Sequence, residues 1–477
     1  MRKIYSKAKT NIIQLGHVDT NTARRALRSI DAVVKEIDEE TAGSRGLRSA
    51  LYRGGEIVHM EEPLRAAIDV EALAALLSSR WFNRLWVMQE AVSAQHNVCY
   101  FGDLTFDLMD LLRPCIWMTF KRQSCPSQIR GAIELRICGK LWPYVDREHG
   151  TYRKRKGSSV SSALDFDRGL EVTDPRDTVF AVLGLMECGQ AGDLPYLLMP
   201  DYGKQLLEVY RNATVCAVHE KGIGAMLSRV HQWTEDDIQD ESWPSWVPRL
   251  DRPRNANMEA SSLTDLFAPD SGLQQAAIPP TSTGKADTLS VSGIVAGTVR
   301  ECTSTFINGS GLTSRQAWLQ EAEQVASRIA CDRETIAHTV IAGAKAYFHL
   351  DELPGDFDIW WSRVFEGAEI SQDVRSLPPN ASKDDRSAAK FELAFTYAAN
   401  VRRFFSTCDG KIGLGPSILK ASDQVVVLHG GKTPFILRSI ESGYKVLGQC
   451  YVHGIMQGEA VQEQRSKDNP SVRFDLR

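Results

Sequence analysis

The chain has 477 residues, 43% of them hydrophobic and 24% charged, the proportions of an ordinary globular protein with enough apolar material for two to four compact units. Its 56 lysines and arginines face 60 aspartates and glutamates, and the net charge of -4 gives no overall field favouring nucleic acid or anionic lipid. A nucleic-acid partner is therefore not expected.

Residues 1–9 read as the last turns of a helix and Asn11–Gly16 as a buried strand closed by glycine. A domain seldom opens inside a helix with a core strand behind it, so an upstream portion is expected. Between Asn21 and Glu40, Ala26, Leu27, Ile30, Val33, Val34 and Ile37 recur at helical steps behind polar capping residues at 19–22. Residues 41–62 are loop-like, and Val70–Leu77 resumes a helix that runs on or breaks near Ser78 and Ser79. The stretch Ser79–Glu90 is expected to be helical. That spacing puts Trp86 and Glu90 on one face, with Phe82, Leu85 and Gln89 on the neighbouring stripe. The strand Asn97–Phe101 follows, and the order strand, helix, helix, strand predicts an α/β layer with a mostly parallel sheet over residues 1–103.

Residues 104–250 read as mostly helical. The basic run Arg153–Lys156 marks an exposed loop. Asp174-Pro-Arg-Asp177 opens a short helix, with Asp174 at the N-cap and Asp177 at the third position of a start resembling a capping box. A helix is expected over Lys204–Val218. Trp243-Pro-Ser-Trp-Val-Pro248 then reads as an extended segment that its tryptophans pin to the domain surface. Residues 251–287 have the composition of a linker or long loop.

The region 288–477 is mixed. Leu289–Val299 alternates as a strand bent at its glycines, and helices are expected at 314–329, 335–349 and 390–401, with a charged, flexible stretch at 371–386. Short β-like runs joined by Asp-Gly, Gly-Gly and Ser-Gly turns fill 403–456 and predict a small antiparallel sheet or barrel-like unit. The fold class is thus α/β and α+β multidomain: an α/β first part, a helical middle and a β-rich C-terminal unit.

Ten cysteines are scattered without a C-x-x-C pair, the pattern of reduced thiols in the cytoplasm. No apolar signal core and no run of about 18 apolar residues occurs, so no membrane association is expected. Gly430-Gly-Lys-Thr433 fails as a phosphate loop, because Val426 stands where the leading glycine belongs and Pro434 blocks the following helix. Gly410, Gly413 and Gly415 read as turn glycines, Ile418 occupying the third position of a dinucleotide motif. Cys450 and His453 fall on opposite strand faces by parity, and with no H-E-x-x-H or G-x-S-x-G present no metal site is expected. What remains is Glu90, which reads either as the structural partner of Arg80 or Arg84 or as a reactive carboxylate.

The chain resembles the fungal heterokaryon-incompatibility domain family. The matching stretches are Met1-Arg-Lys-Ile-Tyr-Ser-Lys-Ala8 with Ile12–Gly16, Arg80–Glu90, Asp174–Leu185, Pro200-Asp-Tyr202 with Glu208-Val-Tyr210, and Trp243–Pro248. In the tail they are Gly413–Pro416, Asp423–Gly431, Pro434–Arg438 and Gly448–Met456. The family's opening Ala-Leu-Ser-Tyr-x-Trp-Gly and Leu-Trp-Ile-Asp-Ala-Ile-Cys-Ile-Asn-Gln segments are not in this sequence, so the domain's N-terminal half is expected to be missing. The resemblance implies a cytoplasmic trigger of growth arrest and cell death after non-self recognition, with other incompatibility proteins or further copies of itself as partners. It also implies a truncated fold related to the Toll/interleukin-1 receptor domain, some relatives of which cleave NAD with a glutamate in a Trp-x-x-x-Glu pattern. Trp86-Val-Met-Gln-Glu90 is similar to that pattern. Glu90 is then the expected catalytic carboxylate, Trp81, Arg84, Trp86 and Gln89 are pocket or motif residues, and NAD is a substrate rather than a bound cofactor. The other reading is a non-catalytic interaction protein, a degenerate copy that binds full-length relatives.

Overall fold

A computed structural model describes residues 7–41, 64–121, 159–164, 170–186, 195–252, 266–273, 287–350, 352–371, 380–467 and 471–477, with a few isolated positions besides. The chain divides into two compact units, Met1–Val209 and Tyr210–Arg477, the division falling inside the region read as mostly helical.

The first unit is built on three strands, β1 (Thr10–Gly16), β2 (His96–Phe101) and β3 (Leu104–Asp107), in the order β1-β2-β3. β1 and β2 are parallel with Ile12 opposite Val98, whereas β2 and β3 are antiparallel with Cys99 opposite Phe106. A parallel pair needs a crossover, which α1 (Thr20–Thr41), α2 (Val70–Leu77) and α3 (Val87–Ser93) supply before the chain returns as β2. α4 (Leu108–Phe120) follows β3. β1 alternates rather than being wholly buried: Asn11, Ile13 and Leu15 face inward, while Ile12 is 69% exposed.

Asp19 starts α1 by accepting from the backbone N–H of Asn21 and Thr22. The inward stripe Ala26, Ile30, Val33 and Ile37 packs against α2 and α4. Glu36, buried on the same helix, accepts from the backbone N–H of Arg65 at 2.8 Å and of Ala66 at 2.6 Å and from Trp117 Nε1 at 3.2 Å. Three donors on one buried carboxylate satisfy its charge and tie the loop before α2 to α1 and α4. Of residues 41–62, Tyr52–Arg53 and Glu56–Ile57 pair as a short antiparallel ladder, so the segment is not wholly loop. The expected N-terminal helical turns and the basic run Arg153–Lys156 lie almost entirely outside the described residues.

The expected single helix over Ser79–Glu90 is instead two pieces. Ser79 caps a 3-10 turn at Arg80–Asn83, Arg84 is extended, and helix resumes at Val87. The break has a cause in the backbone: Glu171 donates to Asn83 O, and Leu85 N donates to Glu171 O at 3.1 Å, which holds Arg84 in a parallel bridge with Glu171. Phe82 and Leu85 therefore do not extend the stripe of Gln89.

α6 (Leu206–Lys221) follows α5 (Asp177–Phe180) in the helix order and carries the chain across the division. The second unit is organised by β4 (Leu289–Cys302), with β5 (Arg402–Thr407), β6 (Ile412–Pro416), β7 (Gln424–Leu428), β8 (Phe435–Ile440), β9 (Gly443–Gln449), β10 (Tyr451–Val452) and β11 (Val472–Leu476). The strand order is β10-β6-β5-β4-β11-β9-β8-β7, and β4 also pairs with β7, which closes β4, β11, β9, β8 and β7 into a ring. β4 pairs with β11 over Leu289–Gly293, with β7 over Gly293–Thr298 and with β5 over Val299–Cys302. Register shifts between Val295 and Gly297 and between Val299 and Glu301 bend it enough to serve all three. The β-rich unit is thus larger than 403–456. Gly410 is a turn glycine with φ 82°, but Gly413 and Gly415 lie within β6. A Cβ on Gly413 would collide with the carbonyl oxygen of Tyr451 and the ring of Phe405, so its role is close strand approach.

Against this sheet pack α7 (Leu312–Ser327), α8 (Arg333–Val340) and α10 (Lys383–Ala399), and α9 (Leu353–Glu366) packs on these three helices. Trp318, Phe357, Trp360, Phe391 and Phe395 form an aromatic core, with Trp360 and Phe395 ring centroids 4.8 Å apart. α9 is not among the helices expected from the sequence; Pro354 stands in its first turn, where proline is well suited. α10 begins inside the stretch expected to be flexible, since Ser382 and Asp385 form a reciprocal capping box. Trp243 and Trp246 are buried, not surface pins. Within 251–287, residues 266–273 pack into the unit: Phe267 is buried and Ala268 N donates to Met456 O at 2.9 Å. Among the described residues, no helix is long and apolar enough to cross a membrane.

Candidate functional site

Trp86 stands immediately before α3 and turns its indole toward α5, where Nε1 donates to Asp177 Oδ2 at 2.9 Å. The hydroxyl of Tyr202 donates to the other oxygen, Oδ1, at 2.6 Å. One buried carboxylate thereby gathers two aromatic donors from stretches far apart in the chain. Arg176 braces the arrangement. Its Nε and Nη2 pair with Asp174, its Nη1 donates to the carbonyl oxygens of Tyr202 and Lys204, and its guanidinium lies 5.3 Å from the Tyr202 ring centroid. Phe180 meets the same ring edge-on at 5.3 Å.

The electrostatics follow from these contacts. Burial, and then the hydrogen bond to Asp177, push the Tyr202 phenol up to about 12. Hydrogen bonding from Arg176 holds the Asp174 carboxyl below the usual carboxylate range, and Asp174 in turn raises Arg176. Asp177 is therefore not the returning arm of a capping box. Asp174 makes the local turn by accepting from Arg176 N at 3.0 Å, and the Asp177 side chain serves Trp86 and Tyr202.

The residues singled out in the sequence separate into three situations. Trp81 is buried and packs edge-on against Phe82 at 5.2 Å, while the Arg84 side chain is exposed and only its backbone is engaged by Glu171. Gln89 is buried, its Nε2 donating to Phe180 O at 3.2 Å, with Oε1 left without a partner. It lies directly against Gly184, where a Cβ would overlap the Gln89 amide. Glu90 is half-exposed one turn after Trp86, its N–H donating to Trp86 O at 3.3 Å. Among the described residues, neither Arg80 nor Arg84 nor any other cation pairs with the Glu90 carboxylate. The structure thus joins Trp86 and Gln89 to the α5 region and, among the described residues, gives the Glu90 carboxylate no cation.

Sequence reasoning missed Asp177, Tyr202 and Arg176 as a group. The available signal was an acidic residue beside a short helix together with a separate Pro-Asp-Tyr segment, neither of which indicates its partner. Among the described residues, no group of three His, Cys, Asp or Glu side chains is placed to hold a metal ion.

Residues 1–90 match the family described as heterokaryon incompatibility protein (HET), a match that ends at Glu90. This is a fungal HET-domain protein. Residues 316–470 of the HET-domain chain match the Het-6 beta-barrel domain, which covers α7 from Gln316 onward, α8 to α10 and β5 to β10. β4 and β11, both needed to close the ring, lie outside that match. The chain is 21% identical to heterokaryon incompatibility protein 6, OR allele, of Neurospora crassa over 98% of its own length and 79% of that protein. No solved structure matches it.

Proposed function

We propose that this HET-domain protein acts in fungal heterokaryon incompatibility, as a cytoplasmic trigger of growth arrest and cell death after non-self recognition. We further propose that Glu90 is the carboxylate of an NAD-cleaving site on an α/β layer related to the Toll/interleukin-1 receptor fold. The incompatibility role is supported by the match over residues 1–90 and by the similarity to the Neurospora crassa protein. The observation that carries the catalytic role is the state of Glu90, half-buried and, among the described residues, unpaired one turn beyond an indole that Asp177 anchors. When the nicotinamide–ribose bond breaks, its electron pair leaves with the ring nitrogen and positive charge develops on the ribose. An unpaired carboxylate stabilises that charge until water adds.

The test is NAD consumption by purified, oligomerised protein. Turnover that disappears in Glu90→Ala and Glu90→Gln supports the reading. Unchanged NAD, together with partner proteins that co-purify equally with wild type and Glu90→Ala, replaces it with a non-catalytic interaction protein.

A further inference from the structure

The second unit contains a cavity of about 670 Å³ remote in sequence from Glu90. Lys445, on β9, lines it while being only 5% exposed. A lysine this buried is ordinarily paired. Here its Nζ makes one long hydrogen bond, 3.4 Å to the backbone oxygen of Asp240, and among the described residues no carboxylate lies within ion-pair distance. The Asp240 carboxylate is engaged by Arg249 at 2.9 Å and by Ser242. Burial pushes the Lys445 ammonium below its ordinary value although Asp240 and Glu241 lie near enough to favour its charge, and a bound anion would relieve the penalty that remains. A second cationic side chain, Arg477, lines the same cavity, with its Nε buried and without a hydrogen-bond partner.

The wall is not uniformly positive. Glu241 and Glu441 line the cavity as exposed residues, and Asp287, also exposed, pairs with Arg211. Ile238 and Ile440 add apolar surface. A multiply charged anion such as phosphate would meet Lys445 at the cost of repulsion from the glutamates. A ligand with one carboxylate and one ammonium answers both signs of charge in the wall, and an apolar side chain suits the isoleucines.

We propose that this cavity binds a zwitterion of the amino-acid or peptide C-terminal class, with its carboxylate on Lys445 beside Arg477 and its ammonium toward Glu241 and Glu441. The site is independent of Glu90 and of NAD.

Calorimetric titration of the full chain with leucine, glycyl-leucine, glycyl-leucinamide and inorganic phosphate tests it. Saturable binding of leucine or glycyl-leucine is expected, and the amide should not bind. Binding of leucine alone assigns a free amino acid, and binding of glycyl-leucine assigns a peptide terminus. Lys445→Met keeps the buried stem and should weaken binding at least about tenfold, the loss of one charge-assisted hydrogen bond. Its thermal midpoint should not fall, because an apolar residue replaces a buried charge. The exposed pair Glu241→Gln with Glu441→Gln should weaken glycyl-leucine but leave N-acetylglycyl-leucine unchanged, and this variant decides the matter if Lys445→Met does not fold. The proposal is overturned if neither zwitterion binds, if phosphate binds more tightly than both, or if the rim variant treats the free and acetylated peptides alike.

Discussion

The indole Nε1 of Trp86 donates to Oδ2 of Asp177 at 2.9 Å across 91 residues of sequence, while Tyr202 takes the other carboxylate oxygen at 2.6 Å. Replacing Asp177 with alanine strands the half-buried Trp86 indole, while the hydroxyl of Tyr202, a residue 52% exposed, can turn to water. The expected loss of stability is about 2–3 kcal/mol, measured by urea unfolding. Asp177→Asn retains one acceptor but removes the negative charge. The Tyr202 phenol, at about 12 through burial and then Asp177, should move down toward its ordinary value of 10. Phenolate absorbance titration, with Tyr202→Phe as the reference, reads this directly. An unmoved phenol would mean that burial alone sets it.

Gly184 supports the same region from behind. A Cβ there would fall on the amide of Gln89, which is buried, bonded to Phe180 O and short of one partner already. Gly184→Ala should therefore cost about 1–3 kcal/mol by overpacking. Adding Gln89→Ala should recover part of the loss, a coupling that a double-mutant cycle quantifies. Additive losses would show that the alanine methyl finds space elsewhere.

Particular residues show what could be read from sequence. The one-turn relation between Trp86 and Glu90 follows from spacing, and it holds although Arg84 breaks the longer helix. That break comes from Glu171, whose backbone leaves no local trace near Arg84. The runs Gln424–Leu428 and Gly443–Gln449 are legible because Gly-Gly and Ser-Gly turns bound them. Closure of the ring is not legible, because it depends on two register shifts in β4 and on Val472–Leu476, which has no turn dipeptide to announce it. The role of Asp177 is hidden for a related reason. The residue types that cap helices are also those that accept hydrogen bonds from distant aromatic groups, so local pattern favours the nearer explanation.

In the second unit, Arg438 holds together three elements. Its Nε and Nη2 grip Asp423 at 2.8 and 2.9 Å, its Nη1 reaches both oxygens of Glu235, and Nη2 also donates to Ile418 O at 2.8 Å. Asp423 is only 2% exposed, so Arg438→Met leaves a buried carboxylate without its cation. The expected cost is about 3–5 kcal/mol. The double variant Arg438→Met with Asp423→Leu should be more stable than Arg438→Met alone, since the stranded charge goes with its partner. Calorimetric midpoints of the three proteins check the order. A double variant less stable than the single one would show that Asp423 is held chiefly by its other contacts, including Lys420 N at 2.9 Å.

His231 makes stability of the second unit depend on pH. Its ring lies edge-on to Trp233 at 4.5 Å, and Nε2 is buried without a partner. Burial, with Arg402 adding repulsion, pushes the imidazole down from 6.5 to about 3. Between those values the unfolded chain binds a proton that the folded chain refuses. The contribution of His231 is therefore fully present above pH 6.5 and is lost progressively as pH falls toward about 3. One proton limits the slope to about 1.4 kcal/mol per pH unit. Carboxylates titrate in the lower part of the same window, so the comparison must be with His231→Phe, which keeps the aromatic contact and cannot charge. Urea unfolding from about pH 4 to pH 6.5 should show a shallower dependence in the variant than in wild type. Parallel curves would mean that the folded chain protonates His231 as readily as the unfolded one, and that its ring finds solvent on acidification.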